Sequence, residues 1–134
     1  MGCNHKNSGH KSNENRENLI VKNHNHEFLS STDYEKDDEG VEHNHRIAGV
    51  TGPPIKCGKS HVHKVSELTD TFKDHFHKVC DTTGEALYIP GGKGKHIHLI
   101  KGTTGPGDDN NHVHDYFFTT LIEDPSNVPE DRKC

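Results

Sequence analysis

Residues 96–105 read His-Ile-His-Leu-Ile-Lys-Gly-Thr-Thr-Gly, and residues 43–52 read His-Asn-His-Arg-Ile-Ala-Gly-Val-Thr-Gly. Each holds two histidines one residue apart, an apolar residue four places after the first, and a threonine eight places after it. The pattern occurs six times and takes up twelve of the 14 histidines, as His24/His26, His43/His45, His61/His63, His75/His77, His96/His98 and His112/His114. The fourth place holds Phe28, Ile47, Val65, Val79, Ile100 and Tyr116. The eighth holds Thr32, Thr51, Thr69, Thr83, Thr104 and Thr120, although the chain has only ten threonines, so the unit is a true internal repeat. The ninth favours turn formers: Gly52, Gly84, Gly105, Asp33 and Asp70.

Alternation of this kind belongs to strands, in which every second residue points to the same side. Both histidines and the apolar residue then share one face. The opposite face takes Glu27, Arg46, Lys64, Lys78 and Asp115, with Leu99 as the exception. The spacing predicts an all-β fold of six short strands joined by Gly/Pro/Asp-rich loops. The best helical stretch, residues 66–79 with Leu68, Phe72 and Phe76 four apart, is short and weakened by its β-branched residues. Residues 91–95, Gly-Gly-Lys-Gly-Lys, read as a loop without regular structure. By composition the chain divides into a polar tail over 1–21, a repeat domain over 22–122 and a charged tail over 123–134.

Composition explains why the histidines matter. With 134 residues there is room for one domain, but only 27% of residues are hydrophobic, there is no Trp, and mean hydropathy is -1.01. So little apolar surface cannot offset the conformational entropy of folding alone, which calls for a metal, a partner chain or disulfides. The net charge of -5 with neutral His, and no basic cluster, argue against nucleic acid as a partner. No apolar run is long enough for a membrane span, and residues 1–17 lack the apolar core of a secretory signal. Cytoplasm and cell or spore surface both remain open as locations.

On a strand, His-x-His projects two imidazoles to one side, which suits two nitrogen ligands converging on one ion. Neutral imidazole binds Zn, Cu, Fe and Ni. All twelve paired histidines are therefore candidate ligands; the competing reading is a set of solvated cross-strand His ladders, which six pairs in one register disfavour. First-His steps of 19, 18, 14, 21 and 16 residues are too uneven for a stacked solenoid, and a meander puts consecutive pairs at opposite ends of the sheet. A rotationally symmetric homo-oligomer, in which each pair meets its own copies, escapes both objections. Two chains would supply four imidazoles, for Zn or Cu. Three would supply six, an octahedral set, and the trimer is the favoured expectation, with extension into a filament.

The strings HNHRIAGVTG, HFHKVCDTTG and HIHLIKGTTG resemble repeats of bacteriophage tail-fibre tips and collars. That resemblance implies an elongated trimeric β-fibre with iron held along its axis. The region 22–122 also resembles the YmaF family of small His-rich bacterial proteins, through the same strings together with SHVHKV, a resemblance that brings a family name and little mechanism.

The four cysteines, Cys3, Cys57, Cys80 and Cys134, form no CxxC, which removes zinc ribbons and thioredoxin-like redox. Cys80 falls on the face opposite His75. Cys3 and Cys134, near the two ends, are candidate cross-links between subunits, with free thiols as the alternative. Gly58-Lys59-Ser60 lacks the first P-loop glycine, since Pro53 stands there, and no HExxH, deaminase or haem-attachment pattern occurs. A non-enzymatic structural metal-binding protein is the expectation. A soluble buffer or chaperone with exchangeable Zn, Cu or Ni is the alternative, and a metalloenzyme with an open coordination position the third.

Overall fold

The computed structural model describes residues 23–107 and 112–123. Among these the chain is all-β, as the repeat predicts, with no helix and so none long and apolar enough to cross a membrane. Twelve strands follow in order: β1 (Glu27–Ser31), β2 (Glu35–Lys36), β3 (Glu42–His43), β4 (Arg46–Val50), β5 (Ile55–Cys57), β6 (Ser60–Val62), β7 (Lys64–Leu68), β8 (Lys78–Thr82), β9 (Leu87–Tyr88), β10 (His96–Ile97), β11 (Leu99–Thr103) and β12 (Asp115–Thr119). The six five-residue strands are those of the repeat. The other six are two- or three-residue pieces in the connections, too short to leave a periodic signal. Each five-residue strand begins just after the second histidine of its pair, so the pairs stand at the strand mouths. Residues 91–95 carry no strand, but Ile89 N–H donates to the Lys95 carbonyl at 2.9 Å and closes the loop.

The long strands pair antiparallel as three hairpins, β1–β4, β7–β8 and β11–β12. Each hairpin is tied at both ends by its two repeat threonines. In the first, Thr51 N–H donates to the His26 carbonyl at 2.9 Å, while the Thr51 hydroxyl accepts the His26 N–H at 3.2 Å. Thr32 treats His45 the same way, at 2.9 and 3.0 Å. The reciprocal bonds recur between Thr83 and His63, Thr69 and His77, Thr120 and His98, and Thr104 and His114. A buried hydroxyl that both accepts and donates meets this need, which is why every repeat ends in Thr.

The residue after each Thr stitches one hairpin to the next. Gly52 and Asp70 join the first hairpin to the second through the Lys64 and Arg46 carbonyls. Gly84 and Gly105 join the second to the third through Leu99 and Lys78. Asp33 and Leu121 close the third onto the first through Asp115 and Glu27. The six N–H···O bonds measure 2.9–3.2 Å and leave a closed ring of three hairpins with approximate threefold symmetry.

The ring encloses a small apolar core: Phe28, Ile47, Val65, Val79, Ile100, Tyr116 and Phe118. The first six are the fourth-place residues of the repeat. The outward residues Glu27, Arg46, Lys64, Lys78 and Asp115 are exposed, as is Cys80 with a free thiol. Space at two hairpin junctions is made by glycine. A Cβ on Gly49 would strike Glu67, and one on Gly102 would strike Asp81, whose carboxylate accepts the Tyr116 hydroxyl at 2.9 Å.

Thr83 is fully buried and its neighbour Thr82 is exposed. Replacing Thr83 by Val keeps the shape but strands the His63 N–H. The loss expected in urea denaturation is about 1–3 kcal/mol, whereas Thr82→Val should change stability by less than about 0.5 kcal/mol.

Candidate metal centre

Antiparallel pairing sends consecutive His-x-His pairs to opposite ends of the ring, so alternate pairs meet. His24, His26, His61, His63, His96 and His98 gather at one end. His43, His45, His75, His77, His112 and His114 gather at the other, where the hairpins turn. Within each group one ligand nitrogen from every residue lies within 4.8 Å of all the others. All twelve histidines singled out in the sequence are thus brought together, six and six. The sets of six expected from three copies across an axis form within one chain, so their convergence needs no second copy. His5, His10, Cys3 and Cys134 lie outside the described residues.

At the first end the Nε2 atoms of His24, His61 and His96 form a triangle with sides of 3.1–3.2 Å. At the second, His43 Nε2 lies 3.2 Å from both His75 Nε2 and His112 Nε2. Rings at the first end meet edge to face, at interplanar angles between 67° and 89°. The first histidines of three pairs make one triangular face and the second histidines make the opposing one. An octahedron with adjacent corners this far apart has its centre about 2.2 Å from each corner, close to a metal–imidazole bond of ~2.0–2.1 Å. Opposite corners of such an octahedron are about 4.5 Å apart, inside the 4.8 Å limit that each group obeys.

The second histidine of every pair has its tautomer set by the backbone. Nδ1 of His26, His45, His63, His77, His98 and His114 donates to the carbonyls of Leu121, Asp70, Gly52, Gly105, Gly84 and Asp33, at 2.8–3.1 Å. These are the ninth-place residues that also stitch the hairpins. With the proton on Nδ1, Nε2 keeps a bare lone pair aimed at the centre. His43 and His96 are held alike, through the Val41 and Gly94 carbonyls. The buried Nε2 atoms of His45, His63, His77, His98 and His114 have no hydrogen-bond partner. Converging unpaired lone pairs are costly in a buried space unless a cation sits between them. The donor set, six neutral imidazoles, fits a transition-metal ion.

Burial also keeps the rings neutral. His63 and His98 are pushed down to about 3, chiefly by burial and then by neighbouring imidazoles, against the backbone bonds from Gly52 and Gly84 that favour the charged form. His61 is likewise held near 3 by burial and by His63, and His77 and His114 near 4 by burial foremost. His26 and His45 are lowered by the same cause.

Fold and geometry together define a class: a small all-β chain ringed by hairpins, with a six-imidazole cage at each end. The chain belongs to the YmaF family, described as spore germination protein GerY/YamF, whose pattern matches residues 21–122. No curated protein and no solved structure matches it significantly, so the likeness to tail-fibre tips rests on the motif strings alone.

Sequence reasoning singled out the twelve histidines that cluster but missed their partition and the groups that orient them. The signal for the partition lies in alternate spacing: 37 residues from His24 to His61, 35 from His61 to His96, and 32 from His43 to His75. These intervals are far more even than the consecutive steps.

The depressed histidines fix the sign of a pH response. Their neutral form stabilises the fold fully above the unfolded value of 6.5, and that contribution is lost as pH falls towards 4 and then 3. The urea midpoint should be flat from pH 8 to 7 and drop steeply below about 6.5, because several imidazoles take up protons together. A midpoint independent of pH between 7 and 5 would contradict the buried neutral cages.

Proposed function

We propose that this chain is a metal-holding protein in which each cage takes one divalent transition-metal ion as a structural centre. The observation that carries this reading is the set of buried Nε2 lone pairs without partners, aimed at a common point from three hairpins. Six neutral nitrogen donors in an octahedral array suit Fe(II) or Ni(II). They suit Zn, which prefers four ligands, and Cu(II), which prefers a tetragonal set, less well. A fully ligated ion has no position left for substrate, so the role is structural and not enzymatic. Each ion would clamp one end of all three hairpins, and its binding free energy would become folding free energy in a chain with a small core. The family description supports a role in spore germination. No axis of copies is required by this reading, and the fibre form of a structural role has no separate support.

A second reading, an exchangeable metal store, draws support from one observation. His112 is only partly buried, whereas the other eleven ligands are buried. Slow loss of metal to a mild chelator over hours favours the structural reading, and loss within minutes favours the store.

Elemental analysis beside molecular mass tests the cages directly. The wild type should hold two ions per chain. Replacing His61 and His63 by Ala removes two ligands from one cage, so the content should fall to about one ion per chain. If each pair instead met its own copies in a trimer, one of six sites would be lost and about five-thirds of an ion per chain would remain. Exhaustive chelation of the wild type should lower the urea midpoint of its unfolding transition, and restoring the metal should recover it.

A further inference from the structure

The two cages are built on one plan, but their surroundings differ. At the cage of His24, His26, His61, His63, His96 and His98, the carbonyls that orient the second histidines belong to Gly52, Gly84 and Leu121, none of which carries a charge. At the other cage they belong to Asp33, Asp70 and Gly105. The Asp70 carboxylate lies 3.4 Å from His45 Nδ1 and the Asp33 carboxylate 3.8 Å from His114 Nδ1. Each is anchored by a backbone N–H, of Arg46 at 2.8 Å and of Asp115 at 3.0 Å. Asp74 adds a third carboxylate 3.9 Å from His75 Nδ1. Among the described residues the first cage has one counterpart, Glu123, 3.4 Å from His96 Nδ1. The second cage also contains the one partly buried ligand, His112.

Resting on the metal-holding reading above, we propose that the cages load in order: the cage of His43, His45, His75, His77, His112 and His114 captures the first divalent ion, and the enclosed cage fills second. Two causes act together. Carboxylates beside the Nδ1–H groups raise the basicity of the coordinating nitrogens and offset the charge that the ion brings, and such partners typically change metal affinity by about 10–100-fold. Asp33 and Asp74 stand at the end where a ligand reaches the surface, so they raise the local cation concentration where access is easiest, while Asp70 shares its charge with the Arg46 guanidinium 3.8 Å away. Asp33 and Asp70 are positioning residues here; the histidines do the binding.

The test titrates metal-free full-length chain with Co(II), whose paramagnetism broadens nearby amide NMR signals. Native mass spectrometry counts ions in parallel. Below one equivalent, the amides of Asp33, Asp70 and Gly105 should broaden ahead of those of Gly52, Gly84 and Leu121, with a preference of roughly tenfold or more. Asp33→Asn with Asp70→Asn keeps an acceptor for the backbone N–H while removing the charge, and should erase most of that preference. Should the variant fail to fold, raising salt from 0.05 to 0.5 M with wild type must narrow the preference, because both carboxylates are half exposed and screened. Two ions bound together, or first at the His24 cage, would overturn the order while leaving the cages intact. A preference that survives both the variant and salt would overturn the carboxylate cause. Binding of fewer than two ions would overturn the metal-holding reading itself.

Discussion

The hydrogen bond from each second histidine's Nδ1 to a ninth-place carbonyl is the contact on which the rest depends. It protonates the outer nitrogen, turns the inner lone pair to the centre, and uses a carbonyl whose own residue donates its N–H to the neighbouring hairpin. Ligand orientation and hairpin closure are therefore one event. A hairpin that slipped by one residue would lose both, because the side-chain period of a strand is two and the slip would carry the histidines to the solvent face. Register is thus fixed by polar groups, in a chain whose apolar core is too small to fix it strongly.

The core and the cages divide the interior between them. Seven apolar side chains fill the waist of the ring, and each end is lined by imidazoles and threonines. Eleven of the twelve imidazoles are as buried as the core residues. His26, His45, His63, His98 and His114 are fully enclosed, like Ile47 and Val65. Such groups contribute to folding as a hydrophobic residue does only if their nitrogens are satisfied. Nδ1 is satisfied by the backbone, and Nε2 is placed where it could take an ion. The low apolar content of the sequence and the partnerless nitrogens of the structure are two views of the same requirement.

The strands and their inward face were legible because the repeat states them outright: His, His and an apolar residue at alternate places, then Thr. The opposite outward face was equally legible, down to Cys80. What the sequence concealed was which pairs meet. Consecutive pairs are the natural comparison along a chain, and antiparallel pairing does separate those. Symmetry between copies is nevertheless not needed to bring pairs together, because every second pair returns to the same end of the ring. The role of threonine was hidden for a related reason. Its hydroxyl acts on the histidine of the partner strand, so the spacing within one repeat is silent about it, whereas Thr83 bonded to His63 across the hairpin explains it at once.

Internal symmetry also explains where the repeats differ. The six units agree at the histidines and threonine, where each end of the ring makes the same demand of three hairpins. They diverge at the sixth place, where Gly49 meets Glu67 and Gly102 makes room for Asp81, because a junction between two hairpins needs one small and one large partner. They diverge again at the ninth place, where a carbonyl is all that orientation requires and the side chain is free to vary. Three copies of one short chain would repeat every side chain around the axis. A single chain that supplies all three hairpins can set small against large at each junction, and can place Asp33 and Asp70 beside one cage and glycine beside the other. Two histidine cages of identical make-up thereby acquire different electrostatic surroundings without any change to the histidines themselves.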